Sequence, residues 1–176
     1  MKSQTIFDLE LLHLSRNPVI LSNLVSYLDQ SVNHKPYGFW VTVDGEDGWE
    51  DWCNKENFES PERRKSKNRI TLAKDARILF IQNCEEFDKF DDEYGTFTHA
   101  HRWIDWRKVS QIYQGIVIVP YLWNRRLPLG LTFGWYYSWD CASGCIWDIS
   151  AISEIQLIGK TANNERAEYE SRSLSG

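Results

Sequence analysis

The sequence lacks the features that mark membrane and secreted proteins. No stretch approaches the roughly 20 consecutive apolar residues that a membrane-spanning helix requires. The N-terminus MKSQTIFDLE also has no long apolar run of the kind found in a signal peptide. We therefore expect a soluble chain with no membrane partner and a cytoplasmic location.

Cysteine is scarce, and the cysteines present do not form a recognisable metal motif. Cys141 and Cys145 are close in sequence, but no second pair of cysteines or histidines stands at zinc-ligand spacing. We therefore expect reduced thiols and no metal site. His99 and His101 could share one strand face as metal ligands, although an ordinary polar loop is the simpler interpretation.

The chain also lacks an excess of positive charge. Its 20 Lys and Arg residues against 25 Asp and Glu residues give a net charge of −5. This balance excludes a general nucleic-acid coat, whose affinity comes mainly from basic side chains on phosphates. The basic cluster from Arg63 to Arg69 is predicted to be a solvated loop. No glycine-rich phosphate loop of the Rossmann or P-loop kind is present.

Aromatic residues, in contrast, are abundant, at 14% of the chain with nine tryptophans. Tryptophan favours interfaces and pockets, although a small two-layer fold also uses it to fill a core. The predicted elements follow a mixed order with a strand-rich second half, which is typical of an α+β fold. We assign residues 1–160 to one domain and expect the polar residues 161–176 to form a disordered tail.

Hydrophobic periodicity predicts the main elements. Apolar residues spaced three and four apart predict an amphipathic helix over Val19 to Leu28, and Asn83 to Tyr94 is predicted to be helical in the same way. Aromatic and β-branched residues predict a strand over Tyr37 to Val43. A further strand is predicted over Leu131 to Trp139.

Three short segments carry candidates for a binding site. In the segment LHLS, His13 and Ser15 share one strand face and could hydrogen-bond ribose hydroxyls. In GFWVT, Trp40 and Thr42 share a face on which an indole could stack against a planar ring. Asp140 precedes a turn of small residues and could be a carboxylate in a partly dry site. A core histidine, plain sheet packing and a turn-forming aspartate are the structural alternatives.

These segments, in this order, resemble the ADP-ribosyltransferase superfamily, especially its small bacterial and phage members. The segment Leu12–Ser15 is similar to the family's opening strand, and Gly38–Thr42 is similar to its next motif, with Trp in the usual Tyr place. Tyr113–Val117 resembles the Tyr-Asp-Gly-Val-Val segment of phage members. Trp147–Ile152 resembles the family's Phe-Asp-Pro-Ser-x-Ile motif.

The resemblance implies both a fold and a ligand. The fold would be an ADP-ribosyltransferase-like split, antiparallel or mixed β-sheet core with a few flanking helices, which grips NAD in a cleft. The implied NAD-binding residues are His13 and Ser15 at the adenosine-side ribose and Trp40 and Thr42 at the nicotinamide. The candidates on the substrate side are Trp49, Trp139 and Ser143.

The sequence departs from the family at the catalytic position. Ser143 stands where the family's Glu is expected, and Asp140 is the nearest acid. We expect Asp140 to be the catalytic carboxylate, because cleavage of NAD develops positive charge on the ribose that a nearby anion stabilises. The predicted function is transfer of ADP-ribose from NAD to an unknown protein or nucleic-acid acceptor, in a setting such as conflict between phage and host.

Other functions stay open at the level of the sequence. If the missing Glu abolishes chemistry, the same fold would be a module that binds NAD, ADP-ribose or a protein. Alternatively, Trp123 and the basic residues that follow it could dock a protein partner. A hydrolase that pairs Cys141 or Cys145 with His99 or His101 is the weakest alternative, because nothing in the sequence places those groups together.

Overall fold

The protein has a mixed α+β architecture with a mostly β-sheet core and few helices, as the order of elements predicts. The computed structural model describes residues 4–98, 101–127 and 134–160. The predicted tail, residues 161–176, and part of the strand predicted over residues 131–139 lie outside the described residues. The described strands are β1 (Leu11–Ser15), β2 (Val32–Asn33), β3 (Phe39–Val43), β4 (Ser66–Leu72), β5 (Ile78–Ile81), β6 (Gly95–Thr98), β7 (His101–Asp105), β8 (Gly115–Ile118), β9 (Ser143–Ile146) and β10 (Ile152–Lys160). The described α-helices are α1 (Trp49–Glu56), α2 (Cys84–Tyr94), α3 (Trp106–Ile112) and α4 (Trp123–Arg126).

The strands form two sheets. The larger has seven strands in the order β10-β4-β1-β3-β9-β8-β5, and the smaller has three in the order β2-β7-β6. Neighbouring strands are antiparallel except for β5 and β8, which run parallel. Strand β3 is therefore the central strand of the larger sheet, between β1 and β9.

Hydrophobic side chains cover both faces of the larger sheet. Phe39 and Val41 of β3 belong to one cluster, whereas Trp40 packs against the other. This is the alternation expected of a strand buried on both sides. The cluster on the Trp40 face is rich in aromatic residues, and its fully buried tryptophans are Trp106, Trp135, Trp139 and Trp147.

Helix α2 forms as its sequence predicts. The Asn83 side chain accepts a hydrogen bond from the Glu86 backbone N–H at 2.9 Å, which caps the first turn. Phe87, Phe90 and Tyr94 then point into the core at helical spacing. None of the helices in the described ranges has both the length and the apolar character that a membrane crossing requires.

The helix predicted over Val19 to Leu28 is wrong. This segment contains only a short 3-10 turn, Leu21–Asn23. Outside this turn, its backbone also bonds to distant parts of the chain. The N–H of Val19 donates to the Asn68 side chain at 3.0 Å, and the N–H of Tyr27 donates to the Trp147 carbonyl at 2.7 Å. Tertiary partners thus override the helical spacing of the apolar residues.

Two further local predictions need correction. The part of the predicted strand 131–139 that the structure describes forms a 3-10 helix, Trp135–Ser138, whose Trp135 and Tyr136 side chains pack in the core. The basic cluster is not simply a solvated loop, because β4 begins at Ser66 and Arg64 is only 2% exposed. The Arg64 guanidinium donates to the Glu59 carbonyl and to Asn54 Oδ1, which replaces the water it loses.

Candidate functional site

A pocket of about 350 Å³ opens where β1 and β3 meet the start of α1. Strand β1 pairs with β3 only through Leu11 with Val43 and Leu12 with Thr42, so the two strands stop pairing beside the pocket. Seven of the side chains proposed from the sequence line this pocket: His13, Trp40, Thr42, Trp49, Trp139, Asp140 and Ser143. They come from β1, β3, α1, the start of β9 and the segment that leads into it.

His13 is fixed at the point where the two strands separate. Its Nδ1 lies 2.7 Å from the Trp40 carbonyl oxygen, and its ring stacks on Phe39 with centroids 4.4 Å apart. A carbonyl only accepts, so Nδ1 carries the proton and Nε2 of the neutral ring remains an acceptor. Burial lowers the pKa of His13, although the hydrogen bond to Trp40 opposes this effect. The site therefore holds a neutral, oriented imidazole.

Trp40 is the aromatic centre of the pocket. Its ring meets Trp139 edge to face, with centroids 5.0 Å apart. The ammonium of Lys35 lies 5.2 Å from the Trp40 ring centroid, within the range of a cation–π contact. Burial lowers the pKa of Lys35, while the charge of Asp140 raises it.

Sequence reasoning missed Lys35, which precedes Pro36 in the loop before β3. The buried side chain of Gln30 holds this loop by donating to the Tyr37 carbonyl at 2.7 Å and accepting from the Tyr37 N–H at 3.0 Å. The one signal in the sequence was the position of Lys35, because a basic residue stands just before a strand that carries pocket residues. It did not identify which way the lysine would point.

Asp140 is held from outside the pocket by Arg126. The Arg126 Nη2 donates to Asp140 Oδ1 at 3.2 Å. The Arg126 guanidinium lies 6.0 Å from the ring of Trp123 and 5.8 Å from that of Tyr137. Sequence reasoning missed this contact, since nothing local links α4 to residue 140. The exposed Trp123 segment and the pocket are therefore joined through one arginine.

The two hydroxyl candidates of the pocket bond to the protein itself. Thr42 Oγ1 donates to the Ala142 carbonyl at 2.9 Å and accepts from the Trp49 N–H at 2.8 Å. Ser143 Oγ donates to the Cys141 carbonyl at 3.0 Å. These hydroxyls fix α1 and the segment before β9 against β3, so their observed role is to shape the pocket.

The other two tryptophans of the site differ in their surroundings. Trp49 stacks on Trp52 with centroids 5.0 Å apart and rings inclined by 16°, and Phe58 meets both rings. Trp139 is only 1% exposed, and its buried indole N–H has no hydrogen-bond partner in the described part of the chain. Trp49 thus belongs to a small aromatic cluster at the pocket, whereas Trp139 is part of the core that backs it.

Ser15 does not join the pocket. Its Oγ donates to the Asn17 carbonyl at 2.7 Å and accepts from Asn68 Nδ2 at 3.0 Å. It lies on the same strand as His13, but its hydroxyl holds the chain after β1 against β4. The structure therefore brings His13 to the site without Ser15.

The cysteines give no support to a thiol nucleophile. All four are free, and burial raises the pKa of Cys141 to about 12 and also raises that of Cys145. Such thiols stay protonated near neutral pH. His101 lies on β7 in the smaller sheet, and His99 lies outside the described residues. Within the described ranges, no group of three His, Cys, Asp or Glu side chains is arranged to hold a metal ion.

Comparison with known proteins finds no matching family model, curated protein or solved structure. The function must therefore be argued from the pocket and its residues.

Proposed function

We propose that the pocket binds NAD and that the protein transfers ADP-ribose from it to a protein or nucleic-acid acceptor. One observation carries this proposal. Seven of the eight side chains proposed from the sequence for such a site line a single pocket, although they are spread from position 13 to position 143. The proposal includes the finer fold class, an ADP-ribosyltransferase-like arrangement, which the pairing of the His13 strand with the Trp40 strand supports.

The nicotinamide half of NAD suits the pocket best. A volume of about 350 Å³ is at the small end of the range for ligand sites, so it favours one ring and its ribose over a whole dinucleotide. Trp40 offers an aromatic surface for the planar nicotinamide ring. His13 Nε2, an acceptor in the tautomer fixed by Trp40, suits a ribose hydroxyl.

The proposed chemistry breaks the bond between ribose C1′ and the nicotinamide nitrogen. The bonding electron pair leaves with nicotinamide, which becomes neutral, and positive charge develops on the ribose ring. The Asp140 carboxylate, held by Arg126, stabilises that charge. An acceptor nucleophile then bonds to C1′ and loses its proton.

The test is release of nicotinamide from NAD, together with transfer of an adenylate-labelled ADP-ribose to lysate components. We expect Asp140→Asn, which keeps the size of the side chain but removes its charge, to slow release by roughly 100-fold. The matched control is Asp88→Asn, because Asp88 also pairs with an arginine, Arg125, but is not part of the pocket lining. Equal rates for wild type and Asp140→Asn, or no release by either, would refute the catalytic assignment.

A second candidate is a module that binds NAD or ADP-ribose without transfer. Ser143 favours it, because this residue replaces the expected Glu and its hydroxyl is bonded to Cys141. Calorimetry separates the two candidates. Saturable NAD binding without nicotinamide release supports the module, whereas absence of NAD binding removes both.

A further inference from the structure

The Lys35 side chain gives the pocket a cationic hydrogen-bond donor. No carboxylate in the described part of the chain lies within ion-pair distance of its ammonium. An unfilled cationic donor is unfavourable in a partly dry site, so a ligand with acceptor oxygens would satisfy it.

The nearby acid does not satisfy Lys35. Asp140 lies on the same pocket, but its direct contact is with Arg126 at 3.2 Å. The Lys35 ammonium rests instead over the Trp40 ring at 5.2 Å. Burial lowers the pKa of Lys35, so its positive charge is not fully compensated by its surroundings.

We propose that Lys35 is the anion-recognition residue of this pocket and binds a phosphate group of the ligand. A lysine ammonium is a compact charge with three donors, and it is a common partner of phosphate. The cation is half-buried and rests on an aromatic face, so it is oriented before a ligand arrives. This inference extends the proposed function, because NAD carries two phosphates, but it requires only that the ligand be phosphorylated.

The experiment measures binding by calorimetry for two ligand pairs that differ by one phosphate: AMP with adenosine, and nicotinamide mononucleotide with nicotinamide riboside. For wild type we expect the phosphorylated member of at least one pair to bind roughly 10- to 100-fold tighter. Lys35→Gln should lose most of this preference, and Lys35→Arg should retain much of it. The control is Lys74→Gln, which removes an exposed lysine that is not part of the pocket lining.

The outcomes separate this inference from the proposed function. If Lys35 confers a preference for AMP over adenosine but NAD does not bind, the phosphate site stands and the NAD assignment fails. If NAD binds and is cleaved equally by wild type and Lys35→Gln, the phosphate site is refuted and the NAD assignment stands. A wild type that prefers neither phosphorylated ligand also refutes the phosphate site.

Discussion

The protonation of the His13 imidazole makes the stability of the protein depend on pH. Burial lowers its pKa below the ordinary value of about 6.5, so the unfolded chain accepts a proton more readily than the folded protein. The neutral His13 ring therefore contributes its full stabilisation above about pH 6.5. This contribution declines as the pH falls towards the pKa that His13 has in the folded protein. At neutral pH the folded protein keeps the ring uncharged and its Nδ1–H on the Trp40 carbonyl.

We expect His13→Asn to flatten the pH dependence of stability. Asn can still donate to the Trp40 carbonyl but does not titrate. Between about pH 7.5 and pH 5.5, the free energy of unfolding should fall by up to about 1.4 kcal/mol more in wild type than in the variant. Urea unfolding at both pH values measures this difference. Other titrating groups are common to both proteins, so identical pH dependence would contradict the account.

Individual residues were predictable where strand alternation fixes a face. It placed Trp40 opposite Phe39 and Val41, and the structure confirms that separation. Lys35 and Arg126 were not predictable, because one lies in a loop and the other contacts a residue distant in sequence. Their positions depend on tertiary contacts, which local spacing does not encode.

At the scale of elements, the hydroxyl of Thr42 joins three parts of the site. It links β3 to the first backbone N–H of α1 and to the Ala142 carbonyl. Thr42→Val keeps the shape but removes both hydrogen bonds, so it should lower the free energy of unfolding by about 2–4 kcal/mol. Thr42→Ser keeps the hydroxyl and should retain most of the stability. Urea unfolding of the two variants measures the difference. Equal stability of Thr42→Val and wild type would contradict this role of the hydroxyl.

The close pairing of β9 with β8 requires glycine at position 144. A Cβ added there would lie 2.4 Å from the Ile116 carbonyl oxygen and 2.6 Å from a methyl carbon of Val117. We expect Gly144→Ala to destabilise the protein by more than about 2 kcal/mol, because backbone must move to accommodate it. Gly159→Ala on β10 is the control, since a Cβ there has no neighbour within 4 Å. Similar midpoints of unfolding for both variants would show that the strands separate more easily than the geometry indicates.

Helices and strands were predictable where the local sequence pattern agreed with the tertiary contacts that the segment makes. Helix α2 has a capping Asn and a helical apolar stripe, and both are realised. The segment after Asn17 has the same kind of stripe but no helix, because Asn68 and Trp147 bind its backbone. Periodicity alone does not separate a helix from an extended segment that packs intermittently against a sheet.

For the whole molecule, composition and element order gave the class but not the topology. The mixed, mostly β architecture was predictable from the strand-rich second half. The strand order was not, because the larger sheet pairs β10 with β4 and places β9 beside β3, bringing distant parts of the chain together. This long-range pairing also brings Asp140 to His13, so the pocket depends on contacts that no local motif reports.

Six of the described tryptophans divide between the interior and the pocket. Trp106, Trp135 and Trp147 pack in the aromatic cluster beside the larger sheet and do not line the pocket. Trp40, Trp49 and Trp139 line it. A ligand that occupies the pocket should therefore be detected by the second group and not by the first.

The most direct test is a titration of ¹⁵N-tryptophan-labelled protein with NAD, followed through the indole N–H signals in NMR spectra and assigned with single Trp→Phe variants. We predict saturable shifts for Trp40, Trp49 and Trp139, because their side chains line the pocket. The signals of Trp106, Trp135 and Trp147 should stay in place. Spectra unchanged at millimolar NAD, or shifts confined to those core tryptophans, would contradict NAD binding in this pocket.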